Sequence, residues 1–410
     1  MERAARVVGV LGAPTVAWLD GRGQLAVDDC TLGWIVGAED RWHDPREEPT
    51  VRQQRVLPAP AYETRVRVPS GDAVQRVYGA RARDNTPYVV VEVENASPAP
   101  FAVAFVLHAG GVFRRGPIAV DGKVARVAGH AALVMPRPPM RWATGAGDTG
   151  TTNTVTSGAA REGPFEPVNA VDAEAAFVFP VAHRTTLRVA LLLDQRAAPS
   201  TTVLDDLPAL DAVRRGWMTQ LDRAMRVEVP GGLAERIDVA RAALLVEGGS
   251  ARPRPQTIAS LEDWGFDDEA ATAWSRASMV ARRRAARRTK PSQRWGMLQV
   301  VRAVGTDEEV LVSARDMLLW DGRDEIDLLP GFPEEWVGES IAVHDAPTRA
   351  GLVSFAVRWH GERPALLWDA PEGVVLRTPV LDPTWSAKGG SGDALLAAWP
   401  RPAAEGGSFS

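Results

Sequence analysis

The densest chemistry in the sequence lies in Glu262-Asp263-Trp264-Gly265-Phe266-Asp267-Asp268-Glu269, with Trp274 just beyond it. Two carboxylates held about 5–10 Å apart across a sugar can cleave a glycosidic bond, one as acid and the other as nucleophile or base. A Trp ring beside them offers an apolar face to a pyranose while the acids take hydroxyls. Glu262 and Asp263 are the candidate catalytic acids of this run, and Trp264, Asp267 and Trp274 are candidate substrate-binding residues. Acids also gather at helix N-termini, where the macrodipole favours them, so the run reads equally as the opening of helices. A second polar cluster is Arg41-Trp42-His43-Asp44-Pro45, in which His43 is a candidate base or substrate contact, or ordinary surface chemistry.

Other chemistries leave no trace. Cys30 is the single cysteine and the six histidines include no i, i+4 pair, so no metal site is expected. No Gly-rich loop runs into Lys-Ser/Thr and no Gly-x-Ser-x-Gly occurs, which removes the P-loop and the usual esterase signal, and no cofactor is expected. Arg282-Arg283-Arg284-Ala285-Ala286-Arg287-Arg288 is the strongest charge run, suited to a polyanion, a partner or simply the end of a helix. Arginine excess over three lysines accompanies Ala, Gly and Pro excess, the mark of GC-rich coding, so this run carries less weight. A net charge of −5 makes nucleic acid an unlikely partner. No apolar run reaches the roughly 18 residues that span a bilayer, so no membrane is expected. The N-terminal Val7–Leu11 stretch reads as a strand because Gly9, Gly12 and Pro14 break it. A lone cysteine suits a reducing compartment, and the expected location is cytoplasmic.

The elements that must position these residues divide by period. From Val7 to about Asp194 short apolar runs alternate with Gly and Pro, the pattern of a β-sandwich. Tyr88–Glu94 and Phe101–Leu107, joined by Asn95-Ala96-Ser97-Pro98, read as a hairpin. Ala132–Met135, Ala175–Val181 and Thr186–Leu193 are further strands. Thr144–Pro164 is rich in Gly and Thr and reads as a mobile surface loop. From Asp205 the period lengthens: Leu207, Leu210, Val213, Trp217, Leu221 and Met225 form a helical stripe. Leu233–Leu245 is a second helix, Pro253 and Pro255 a rigid connection, and Ser260–Asp263 a capping-box start. Asp267 opens a helix to about Arg288, and Gln293–Val304 and Asp307–Trp320 are two more. After Asp327 strands return at Gly351–His360, Pro364–Trp368, Val374–Arg377 and Leu395–Trp399.

One segment carries a family resemblance. Met317-Leu318-Leu319-Trp320-Asp321-Gly322 followed by Leu328-Leu329-Pro330-Gly331-Phe332-Pro333-Glu334-Glu335-Trp336 resembles the junction between helical toroid and C-terminal β domain in bacterial six-hairpin glycosidases of fucosidase and rhamnosidase type. The order of sandwich, helices and β tail is similar to theirs. The resemblance implies a carbohydrate ligand and, in an active member, glycosidic hydrolysis by paired carboxylates. Two departures stand against activity. Twelve toroid helices need roughly 250 residues or more, whereas about 115 separate Asp205 from Trp320. The Asp-Gly-Asn-Phe-Gly signature that carries the family's base is absent, and Asp307 is only the nearest carboxylate, a third catalytic candidate.

The expected architecture is therefore mixed α and β and multidomain. It comprises an N-terminal β-sandwich (1–200), a helical linker and partial α/α toroid (201–325), a small antiparallel C-terminal β domain (326–400) and a disordered tail (401–410). The expected function is a carbohydrate-associated protein, degenerate or non-catalytic. An active glycoside hydrolase, and a scaffold or polyanion binder using Arg282–Arg288, are the alternatives. A second chain completing the helical wall would make it an oligomer.

Overall fold

The computed structural model describes residues 6–110, 117–146, 150–194, 197–200, 202–277, 306–322 and 325–399. The expected helix over Gln293–Val304, the Arg282–Arg288 run and the tail 401–410 lie outside them. The fold is mixed α and β, rich in antiparallel sheet with a small helical middle. It divides into two compact units, Met1–Trp217 with Leu245–Ala251 and Met218–Leu244 with Arg252–Ser410.

The first unit is a sandwich of two eight-stranded antiparallel sheets. In one, Cys30–Gly37, Phe101–Ala109, Ala173–Val181 and Arg141–Ala146 lie side by side. The other is centred on Pro87–Asn95, flanked by Gly71–Arg81 and Thr186–Leu192. Alternate residues of both sheets, among them Leu32, Trp34, Phe105 and Phe177 from the first and Val77, Val91 and Val189 from the second, meet in one continuous core. Runs of β-branched and aromatic residues, whose inward-facing members fill this core, explain why these segments are strands.

Two expectations are corrected here. Pro87–Asn95 and Phe101–Ala109 are not a hairpin, since they belong to different sheets. Each is buried on both faces and is paired on both edges, so neither has an edge left for the other. Asn95 redirects the chain between sheets: its Nδ2 donates to the carbonyls of Ala99 (2.9 Å) and Val181 (3.1 Å), and its Oδ1 accepts from Ser97. Thr144–Pro164 is not a bare loop either, because Gly150–Thr156 is an α-helix with Thr151, Thr152 and Val155 buried. Its own apolar area is small, but the outward face of the first sheet carries Ile35, Ala104, Val106, Ala143, Ala176 and Val178. Val155 completes that cluster. The helix forms on a surface that needs a cover.

In the second unit a seven-stranded sheet includes Ile341–Thr348, Gly351–His360, Arg363–Thr378 and Asp382–Leu395. Arg363–Thr378 is one continuous strand, and its last partner runs over 382–395 rather than Leu395–Trp399. The misleading signal was glycine. A Cβ on Gly389 would lie within 1.8 Å of the Pro371 carbonyl, and one on Gly392 within 2.4 Å of Trp368 Cζ2, so the glycines are strand residues demanded by close approach. The helices also shift. Pro255–Asp263 is a helix with proline in its first turn, so Pro255 starts it and Ser260–Asp263 ends it. The end is a Schellman turn: Gly265 at φ +81 donates its N–H to Glu262 O, and Phe266 N–H reaches Leu261 O at 2.9 Å. Asp267–Arg276 follows, and Asp307–Leu318 opens on a true capping box between Thr306 and Glu309. Among the described residues no helix is long and apolar enough to cross a membrane.

Candidate functional site

On the outward face of the first sheet a polar row crosses strands that are otherwise apolar. Thr31 lies opposite His108, His108 opposite Glu174, and Glu174 opposite Gly145. Directly opposed residues share a face with Cβ atoms about 5 Å apart, so antiparallel register alone brings an imidazole, a carboxyl and a hydroxyl together. They border a chamber of ≈ 40 Å³, also lined by Arg22 and Arg46. Glu174 is 3% exposed and its Oε2 has no hydrogen-bond partner. Burial pushes its carboxyl above the usual range; the nearby Thr151 and the charges of His108 and Arg46 offset this in part.

Beside the chamber, sharing Ile35 and Arg46 as walls, is an open cavity of ≈ 340 Å³. Arg41, Trp42, Asp44 and Glu47 line it from the loop after Cys30–Gly37, and Thr152 and Asn153 from the covering helix. Trp42 is half-buried and packs against the small apolar cluster around Ile35. Gly37, its cross-strand partner, lets the ring lie close: a Cβ there would come within 2.9 Å of Trp42 Cζ2.

The loop that carries Trp42 is stapled by ions. His43 is buried, with Nδ1 3.0 Å from Glu48 Oε1 and Nε2 3.0 Å from Asp40 Oδ1. Both ring nitrogens of His43 are thus engaged by carboxylates, so it braces the loop and leaves neither nitrogen free for a substrate. Arg41 lies 2.6 Å from Glu48 Oε1 and, with His43, holds that carboxyl below its usual range. Arg46 grips Asp44 through Nε and Nη2, the latter at 2.7 Å. Arg22 reaches in from an adjacent turn to the carbonyls of Pro45 and Glu48. Charges of both signs therefore neutralise one another around the cavity mouth, leaving a polar wall with an aromatic floor.

The sequence candidates in the second unit occupy other roles. Trp264 is 1% exposed and has the Arg241 guanidinium over its ring at 5.8 Å. Trp274 Nε1 donates to Glu262 Oε1 at 2.5 Å, tying two successive helices. The carbonyl of Asp263 accepts from Arg315 Nε at 3.4 Å. Asp267 is exposed in the first turn of its helix. Asp307 stands in the first turn of its own and pairs with Arg236 at 2.5 Å. None of them lines the chamber or the cavity beside it. Among the described residues no group of three or more His, Cys, Asp or Glu could hold a metal ion. Sequence reasoning passed over Glu174 and His108; Trp42 lies in the Arg41–Pro45 cluster and Asn153 in the Thr144–Pro164 stretch that the sequence singles out, though neither is a site candidate there. A signal for the first two existed, a Glu and a His each set into an apolar strand.

Comparison with known proteins finds no matching family model and no curated relative.

Proposed function

We propose that this is a carbohydrate-associated protein that binds one small sugar without hydrolysing it. The observation that carries the reading is the ≈ 340 Å³ cavity with the Trp42 ring, paired Arg and acid side chains, and the Asn153 amide around it. Ligand pockets run from about 300 to 1,000 Å³, so this one suits a single ring rather than an oligosaccharide. An aromatic face with neutralised charges and amide groups is the chemistry that neutral polyhydroxy rings require. The resemblance around Leu328–Trp336 supports the same class of ligand. The absence of hydrolysis is inferred from the places of Glu262, Asp263 and Asp307, which lie in helices of the second unit, Glu262 bonded to Trp274 and Asp307 paired with Arg236. A cytoplasmic location is part of this reading and rests on the single, buried Cys30.

Calorimetric titration of the full chain with methyl glycosides of common hexoses and deoxyhexoses tests binding; we expect a one-to-one isotherm that Trp42→Ala weakens at least tenfold. Aryl glycosides of the same sugars test turnover. Hydrolysis that disappears in Glu262→Gln or Asp307→Asn would establish the hydrolase alternative and overturn the non-catalytic reading.

A further inference from the structure

We infer that Glu174 sets which sugar is accepted, by taking one hydroxyl of the bound ring into the chamber that it borders. The inference rests on the reading of the neighbouring cavity as a monosaccharide site. At ≈ 40 Å³ the chamber has room for a water or two, the volume of a hydroxyl or hydroxymethyl group and not of a ring. It shares the Ile35 and Arg46 walls with the larger cavity, so the two lie side by side.

The chemistry of the lining selects among ligand groups. A buried carboxyl oxygen without a partner is costly, and folded chains keep one where something else completes its hydrogen bonds. Burial pushes the Glu174 carboxyl up, which favours its protonated form, and in that form it donates through O–H and accepts through C=O, matching a hydroxyl, which does both. Thr31 and His108 lie in the same cross-strand row and add further polar atoms. Arg46 is already held by Asp44 and Arg22 by two backbone carbonyls, so both guanidinium groups are engaged within the chain, while their positive charge disfavours a cation.

The test uses the full chain, titrated with the methyl glycosides of D-glucose, D-galactose, D-mannose, L-fucose and L-rhamnose, then with each monodeoxy analogue of the tightest binder. In the native chain one deoxy analogue should bind about 10- to 100-fold more weakly than its parent, the loss expected when a buried polar group is left unpaired. In Glu174→Ala that difference should vanish, the parent falling to the level of the analogue. Should Glu174→Ala unfold, Glu174→Gln decides. Parent affinity that falls as pH rises in the native chain should become flat in Glu174→Gln, while His108, Arg46 and Arg22, the other charged groups on the chamber, are unchanged. Full discrimination retained in Glu174→Ala, or a pH response unaltered in Glu174→Gln, overturns the role of Glu174 and leaves the sugar cavity standing. If none of the five glycosides binds, the cavity reading falls and this inference falls with it.

Discussion

Replacing Glu174 by Leu should stabilise the protein while abolishing ligand discrimination. The variant removes an oxygen that is buried and has no partner, a feature that costs about 1–3 kcal/mol. Leucine is close to glutamate in volume, and Val106, Ala143 and Ala176 already line this face of the sheet, so no cavity term opposes the change. The expected stabilisation is about 1–3 kcal/mol, or roughly 2–12 °C in Tm for a unit of this size. The pH dependence follows from linkage. The folded carboxyl is raised above its unfolded value, so Glu174 contributes stability in acid, and that contribution is lost as pH rises toward the folded pKa. The Leu variant lacks the titration, so its advantage over the native chain should be smallest in acid and grow until Glu174 ionises. Differential scanning calorimetry of both chains across pH 4–8 reads both quantities. A Tm lowered by more than about 4 °C, or an advantage that shrinks with rising pH, would refute the reasoning and make Glu174 a structural residue.

Two further outcomes follow from packing at named positions. Gly37→Ala places a methyl within 2.9 Å of the Trp42 ring; the ring should tilt into the cavity, weakening methyl glycoside binding several-fold with a Tm change under about 3 °C, as calorimetry and tryptophan fluorescence would show. Arg241→Ala should destabilise the second unit by about 2–4 kcal/mol in urea unfolding. Its guanidinium is 2% exposed, lies over the rings of Trp264 and Phe266, and donates to Asp238 Oδ1 and the Leu221 carbonyl, so packing and hydrogen bonds are lost together.

The elements were largely legible because local patterns decide them. Val89, Val90, Val91 and Val93 form a strand because β-branched side chains pack well on a pleated sheet, here buried on both faces. Leu233–Gly248 is a helix rich in Ala and Leu whose second half is buried all round, and Thr306 with Glu309 closes a capping box readable from their spacing. Errors fell where a residue type has two physical uses. Gly389 and Gly392 resemble a turn until the approach of Pro371 and Trp368 shows why a strand needs them. Glu262 to Phe266 resembles a helix opening rich in acids until Gly265 adopts positive φ and closes the preceding helix.

What the amino-acid order settles alone is the periodicity of each segment and therefore the mixed, β-rich architecture, since backbone geometry responds to neighbours one to four residues away. Which residues meet is a different matter. Thr31, His108 and Glu174 come from strands distant in the chain and become neighbours only through antiparallel register. The segment 150–156 becomes a helical cover because an apolar face waits for it. Burial, which raises the Glu174 carboxyl, exists only once those layers have closed around it.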